Sequence, residues 1–532
     1  MPVLSMEEEF ALKDKVIDGR SCRDFADNYQ CLAELYHCFN DYADNELVVY
    51  EGERLTYRAA ASLAAGLAVN LSNLHGIKHG DRIALVLPNS SDWIIAFIAI
   101  TSIGATPALI NARSSEEELE HCISTTHCVF AFCDRPLTVD IPAIGHRETW
   151  GELAQDGSLS MTVRKGGDEA LLMFTSGTTG KPKAAILTHQ GLMSSLKTIA
   201  FSSAIIASQM AEQYGVDYET MVSMRPPPVT LLMFPLFHVS GCHATLLSAF
   251  RQGGKLVLMK HWDAEGALRL MTDEKVTGLP GVPTMHWDIL RLENFQDYDL
   301  TSLTSLSIAG QATTPVLLEA VREAFPSAIL GTGYGMTECN GTVTLTIGDS
   351  YINNPTSVGK LVATSEGEIR DADGKVLNTG EVGELHVRSP SLMAGYANAD
   401  NSGIFDSDGW LATGDRGYFD EEGNLYIVGR KSDMVISGGE NIYCAEVEQA
   451  FDRHASVDEC AAFGEEDERL GERLVIVVKT LNEVSREKLL EHCGALITRY
   501  KVPREIYFSK EPLPRNASGK VIKPKLKEMF SR

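Results

Sequence analysis

Phe174-Thr175-Ser176-Gly177-Thr178-Thr179-Gly180-Lys181-Pro182-Lys183 brings hydroxyls, two glycines and two lysines into a single short stretch. Apolar Leu171, Leu172, Met173 and Phe174 lead in, and Ala184, Ala185, Ile186 and Leu187 lead out, so the pattern predicts a turn between two buried strands. Glycines let backbone N–H groups converge on an anion, while the hydroxyls and ammonium groups add further donors. The composition is that of a loop that holds phosphates.

It is not a Walker loop. That motif needs four residues between its glycines and a Ser or Thr after the lysine. Here only Thr178 and Thr179 intervene, and Pro182 follows Lys181, bringing neither an N–H nor a hydroxyl. A plain surface turn would also tolerate these residues, so the weight falls on what accompanies them.

Four further stretches carry chemistry-bearing residues at turns. Tyr334-Gly335-Met336-Thr337-Glu338 joins an aromatic ring, a glycine that permits close approach, and a Thr-Glu pair. Trp410-Leu411-Ala412-Thr413-Gly414-Asp415 sets an acidic acceptor at a glycine turn, with Gly429-Arg430 following. Phe234-Pro235-Leu236-Phe237-His238-Val239-Ser240-Gly241 presents a histidine before small residues. Near the C-terminus, Leu513-Pro514-Arg515-Asn516-Ala517-Ser518-Gly519-Lys520 offers a lysine at the tip of a flexible turn.

Taken in chain order, from about Leu55-Thr56-Tyr57 to Lys520, the motifs resemble those of the adenylate-forming superfamily of acyl-CoA synthetases, luciferases and peptide-synthetase adenylation domains, here of the fatty-acid–CoA ligase type. The resemblance implies an ATP-dependent ligase with Mg2+ and CoA as further requirements. It gives Thr175, Ser176, Gly177, Thr178, Thr179, Gly180 and Lys181 to the β and γ phosphates, Tyr334 to the adenine face, Thr337 to the α phosphate and Glu338 to magnesium. Asp415 and Arg430 are expected at the ribose, and Lys520 as the catalytic cation at carboxylate and α phosphate. Gly310, Gln311 and Ala312 resemble the family's adenine-facing segment, although Ala309 and Gln311 replace its serine and second glycine. His238, Val239, Ser240, Gly241 and Gly335 are expected to line the acid site. Ser432 stands at the hinge position, where relatives commonly carry Asp or Lys. Gly438 and Gly439, in Ser437-Gly438-Gly439-Glu440-Asn441, match the face that meets the acyl-adenylate in the second half-reaction, and Tyr500, Lys501 and Arg504 match the segment near the CoA nucleotide.

Bulk properties agree with such an enzyme. A chain of 532 residues exceeds what one core supports, so two or more domains are expected. A formal charge of −25 disfavours nucleic acid and anionic bilayers as partners, so an ATP site must be made positive locally. Eleven cysteines show no disulfide framework, and Glu7, Glu8 and Glu9 lie where a signal sequence would be basic and then apolar, which points to a reduced cytoplasmic setting. Cys122, His127, Cys128 and Cys133 lack zinc spacing and are read as a buried strand and its flank. The uncharged run Trp93 to Ile110 contains Gly104 and Pro107 and is read as a buried helix ending near Gly104.

The expected fold is α/β: a large N-terminal domain, 1–429, of layered α/β subdomains plus a β-rich subdomain between Gly380 and Tyr426, and a small mobile α+β domain, 430–532. Strands are expected at Arg82–Leu87, Val129–Cys133, Ala170–Phe174, Thr230–Phe234 and Lys255–Met259, and helices at Pro315–Ala324, Ala445–Arg453 and about Ser485–Tyr500. Amino-acid-activating relatives place an Asp where His238 stands, so the acid is expected to be a fatty or other hydrophobic one. CoA is the favoured acceptor; a separate carrier protein, or a degenerate member that only binds nucleotide, are the alternatives. Chain length of the acid and oligomeric state stay open.

Overall fold

The computed structural model describes residues 6–530 except 18, 154–158, 160, 176–180, 311–312, 438–439, 468 and 517–518. Its centre is a helical layer shared by two sheets. Tyr57–Asn73 and Ser91–Ser102 pack between them, each begun by a side-chain cap, from Thr56 and Ser90. Trp93 through Ile100 are wholly buried, because a helix covered on every side must be apolar all round. That explains the uncharged run: the helix ends at Ser102, Gly104 turns the chain with φ +76°, and Thr106–Leu109 continues as a strand.

Among the described residues, seven strands form the first sheet, in the order Gly395–Tyr396, Lys183–Thr188, Glu169–Thr175, Thr106–Leu109, Arg82–Leu85, Phe130–Phe132, Ala143–Ile144. Its centre is parallel, and the first three strands run as antiparallel neighbours. Nine strands form the second: Lys360–Leu361, Gly341–Ile347, Ile329–Met336, Ser305–Ile308, Gly278–Gly281, Val229–Leu232, Lys255–Leu258, Glu46–Tyr50 and Glu53–Thr56. Helices Ala264–Asp273, Pro283–Leu290 and Pro315–Ala324 cover its outer face, the last burying Leu317, Leu318 and Val321 as expected. Cys128 and Cys133 flank the buried strand Phe130–Phe132.

An antiparallel four-stranded sheet follows, from Glu366–Arg370 through Gly383–Arg388 and Leu411–Phe419 to Leu425–Arg430, extending beyond the expected 380–426 at both ends. Gly383–Arg388 alternates buried and half-buried residues, the pattern of a sheet with one covered face. After the short turn Lys431–Asp433 comes a five-stranded sheet with the helix Cys444–Asp452 on one face, burying Val447, Ala450 and Phe451. The helix expected to reach Tyr500 instead ends at Leu496. Ile497 and Thr498 turn extended so that Ile497 and Val502 pack on the domain core, and a separate 3₁₀ turn spans Arg499–Lys501.

Among the described residues one helix, over His189–Glu212, is long and apolar enough to cross a membrane, and 56% of its most apolar window is buried within the protein. Its apolar faces serve the core: Leu192, Met193 and Leu196 join the cluster between the two sheets.

Candidate active site

The phosphate-loop segment joins the strands Glu169–Thr175 and Lys183–Thr188, with Thr175 opposite Lys183, so both ends of the loop are pinned by an antiparallel ladder. Ser176, Gly177, Thr178, Thr179 and Gly180 lie outside the described residues. Lys181 is exposed, its ammonium 3.4 Å from the Glu117 carboxylate. Lys183, named in the sequence reading only as part of the loop, sets its ammonium 5.4 Å from the centre of the Tyr396 ring.

The Thr-Glu turn grows from the strand Ile329–Met336. Gly335 has no alternative, because a Cβ there would overlap the Gly341 carbonyl across the ladder. Gly333 is constrained in the same way by the Thr344 carbonyl. Tyr334, between these two glycines, projects from the opposite face of the strand and presents an aromatic ring of the kind that can stack on a purine. Thr337–Cys339 form a 3₁₀ turn, and Asn340, at φ +54°, returns the chain into Gly341–Ile347. Glu338 is 8% exposed; its Oε1 accepts a 2.8 Å hydrogen bond from Tyr396 Oη.

Asp415 is a cross-strand neighbour of Arg430 and is 4% exposed. Arg430 Nε donates to its Oδ1 at 3.1 Å, and Tyr334 Oη to its Oδ2 at 2.5 Å. Each carboxylate oxygen keeps a second lone pair, so a ribose diol can be accepted without breaking either bond. Burial opposes the Arg430 charge, but Asp415, with Tyr334 and Asp433, more than offsets it and holds the guanidinium pKa above its usual value. Burial and then the Asp415 charge raise the Tyr334 phenol well above its usual range, fixing it as a donor.

Lys520 belongs to the C-terminal domain but faces these groups. The side chain as a whole stays exposed, while protein crowds its ammonium. Desolvation, then Arg430, lower its pKa, and Asp415 and Glu338 act in the opposite sense. The turn carrying it is braced: Lys520 N–H donates to Asn516 Oδ1 at 2.9 Å, and Arg515 donates to the Gly519 carbonyl at 2.8 Å while pairing with Glu459 at 2.7 Å. The Lys520 charge also acts on His238. Burial, then Lys520, push its imidazole down to about 4, so it is neutral in the physiological range. Its ring lies against Phe237, centroids 4.5 Å apart, just before the wider helical turns Ser240–Leu247. Val239 caps that segment, and Gly241 passes so close to the Pro235 carbonyl that no Cβ fits.

One arrangement thus gathers an aromatic face, a diol acceptor, a carboxylate, a neutral histidine and a lysine contributed by the other domain. Residues 35–397 match the family model described as AMP-binding enzyme, and 446–520 match the AMP-binding enzyme C-terminal domain. The chain belongs to the AMP-binding enzyme family. It is similar to the long-chain-fatty-acid–CoA ligase FadD13 of Mycobacterium tuberculosis, 33% identical over 496 residues, covering 90% of this chain and 93% of that protein. The 2-succinylbenzoate–CoA ligase of Bacillus cereus is 29% identical over 489 residues, covering 91% of this chain and 96% of that protein. Among solved structures, the o-succinylbenzoate CoA synthetase (MenE) of Bacillus subtilis with its acyl-adenylate intermediate superposes with a TM-score of 0.80 at 28% identity, covering 94% of this chain and 98% of that one. The same synthetase with ATP and magnesium gives a TM-score of 0.78.

In this AMP-binding enzyme Glu338 fits a hard divalent cation: one carboxylate oxygen is anchored by Tyr396, and among the described residues no donor meets the other. Gly310, at φ +85°, follows the strand Ser305–Ile308; Gln311 and Ala312 lie outside the described residues, as do Gly438 and Gly439. Ser432 occupies the turn between the two domains. Lys431 on one side reaches Glu384 of the N-terminal domain at 3.3 Å, and Asp433 on the other lies 3.8 Å from Lys523 of the C-terminal domain. Tyr500 and Arg504, with Ser437, Glu491, Arg499 and Val502, line an open cavity of about 500 Å³ in the C-terminal domain. Lys501 does not line it: its ammonium is held by both oxygens of Glu446 at 2.7 Å and lies 5.8 Å from the centre of the Tyr500 ring. Sequence reasoning missed Arg499 at this cavity and Tyr396 beside Glu338.

Proposed function

We propose that this AMP-binding enzyme is an acid–thiol ligase that activates a fatty or other hydrophobic carboxylic acid with ATP and transfers the acyl group to CoA. A carboxylate oxygen bonds to the α phosphorus as the bond to pyrophosphate breaks. The CoA sulfur then bonds to the acyl carbon, the bond to AMP breaks, and the thiol proton passes to solvent. The observation that carries this reading is the buried Asp415 carboxylate held between Arg430 and Tyr334 beside the Tyr396-anchored Glu338, in a chain that matches the AMP-binding enzyme family over both its parts. Substrate carboxylate and phosphates repel one another, so the first step depends on positioned cations instead of a protein nucleophile.

Within this reading Asp415, Arg430 and Tyr334 hold the nucleoside, Thr337 the α phosphate, and residues 175–181 the outer phosphates. Glu338 would hold Mg2+, which when bound supplies charge neutralisation at the phosphates. His238, neutral and beside small Val239, Ser240 and Gly241, stands where amino-acid-activating relatives carry the Asp that pairs with a substrate ammonium. The domain boundary falls at Gly429-Arg430, with Ser432 as the pivot that carries Lys520 away and brings the segment 437–441 in for thioester formation. The cavity lined by Arg499, Tyr500 and Arg504 suits a nucleotide phosphate of CoA. Ten of the eleven cysteines are buried and none is bonded, which favours a reducing compartment.

Acid-dependent exchange of labelled pyrophosphate into ATP, run over linear, branched and aromatic acids, tests the first half. Exchange confined to hydrophobic acids is expected, and no exchange with any acid would leave only nucleotide binding. CoA-dependent AMP release with thioester formation tests the second; transfer solely to a phosphopantetheinyl carrier protein would replace CoA as the acceptor.

A further inference from the structure

Tyr396 sits where two separate parts of the site meet. It belongs to the two-residue strand Gly395–Tyr396, which pairs with the strand leaving the phosphate loop, Tyr396 opposite Ala185. The segment around it is stitched at four points: Met393 N–H to the Glu338 carbonyl at 2.8 Å, Ala394 N–H to Ile186, Ala397 N–H to Ala184, and Tyr396 N–H to Asn401 Oδ1 at 2.7 Å. Asn401 closes the bracket, its Nδ2 donating to the Tyr396 carbonyl at 3.0 Å. Gly395, at φ +145°, leaves no room for a Cβ against that Asn401 side chain. Such a short strand, held this rigidly, fixes one side chain.

Its ring packs against the hydrophobic core between the sheets, and among the described residues its hydroxyl and one ring face are turned toward the nucleotide site. Its Oη donates to Glu338 Oε1 at 2.8 Å, and its ring face receives the Lys183 ammonium at 5.4 Å. We propose that Tyr396 is a positioning residue for ATP activation: its hydroxyl aims the free Glu338 oxygen at a divalent cation, and its ring aims Lys183 at the phosphates. This rests on the reading of Glu338 as the metal-facing carboxylate. A carboxylate held by one oxygen rotates less, so its other oxygen is presented without further ordering cost.

Tyr396→Phe removes only the hydroxyl, whereas Tyr396→Ala removes both contacts. Calorimetric ATP binding at a series of Mg2+ concentrations should show the Phe variant needing roughly ten- to hundredfold more Mg2+ for half-maximal binding, as a charged hydrogen bond is lost. AMP affinity should stay within about twofold, because AMP rests on Tyr334 and Asp415. The Ala variant should in addition lose metal-independent ATP affinity. Pyrophosphate exchange should fall in both, with thioester formation from supplied acyl-AMP unchanged. Glu338→Gln is the control. If Glu338→Gln raises the Mg2+ requirement and Tyr396→Phe does not, the inference is overturned and the reading of Glu338 stands. If neither does, both fall. Loss of AMP binding in the Phe variant would also overturn it, since a purely structural tyrosine predicts that loss and a positioning one does not.

Discussion

Lys520 is useful because its charge is only partly balanced. Desolvation and then Arg430 push its pKa down, while Asp415 and Glu338 act in the opposite sense. Lys520→Ala should lower adenylate formation by roughly 10²- to 10³-fold, the scale for losing one preorganised donor, and leave thioester formation from supplied acyl-AMP nearly intact. Equal losses in the two half-reactions would contradict the assignment. The same depression fixes a pH signature. A lysine whose pKa is lowered loses its proton earlier as pH rises, so adenylation should decline on an alkaline limb below the ordinary 10.5, and Lys520→Arg should shift that limb upward. His238 contributes no step near 6.5, since it gains a proton only as pH falls to about 4. Lys520, Asp415 and Glu338 were legible because each sits in a run of several characteristic residues. Tyr396 was not, because its significance is a contact with a residue 58 positions away, and Gly-Tyr in a two-residue strand carries no local signal.

At the level of elements, the helix Cys444–Asp452 ends unfavourably. Asp452 places a carboxylate at the negative end of the helix dipole, largely buried, and burial raises its pKa from 3.8 to about 6, against a lowering by the Cys460 S–H donor at 3.1 Å. A carboxyl raised in the folded state is stabilising below its unfolded value of 3.8, and that stability is lost as pH rises through about 6. The rise corresponds to roughly 3 kcal/mol given up above pH 6. Asp452→Asn keeps the acceptor and removes the charge, so the C-terminal domain should unfold at higher denaturant at pH 8, with the advantage gone near pH 4; equal midpoints at pH 8 would refute it. Strand and helix types were readable from periodicity and turn residues, whereas the end at Leu496 was not. Ile497 leaves the helix to reach a core assembled from distant strands, a tertiary demand that local pattern does not contain.

Across the whole molecule, contacts away from the active site also join the domains. Arg291, at the end of the helix Pro283–Leu290, reaches Asp458 of the C-terminal domain at 2.7 Å, and Arg416 lies 5.7 Å from the Tyr443 ring. Arg291 is 41% exposed, so the pair is worth about 1 kcal/mol or less. Arg291→Ala should therefore slow adenylation by no more than about fivefold and spare the thioester step; an unchanged adenylation rate at low salt would show that the pair does not hold this arrangement. The two-domain layout followed from length and motif order, but the pairing of Arg291 with Asp458 depends on the angle at which the domains face each other, which no single segment encodes. The thiols described above carry one practical consequence. Ten are sealed inside and the eleventh, Cys460, is half-buried, with burial raising its pKa well above the ordinary range, so alkylating dyes should react slowly with the native enzyme. A fluorophore pair attached through two cysteines engineered on the outer surfaces of the lobes would then report their rotation during turnover against a nearly dark background.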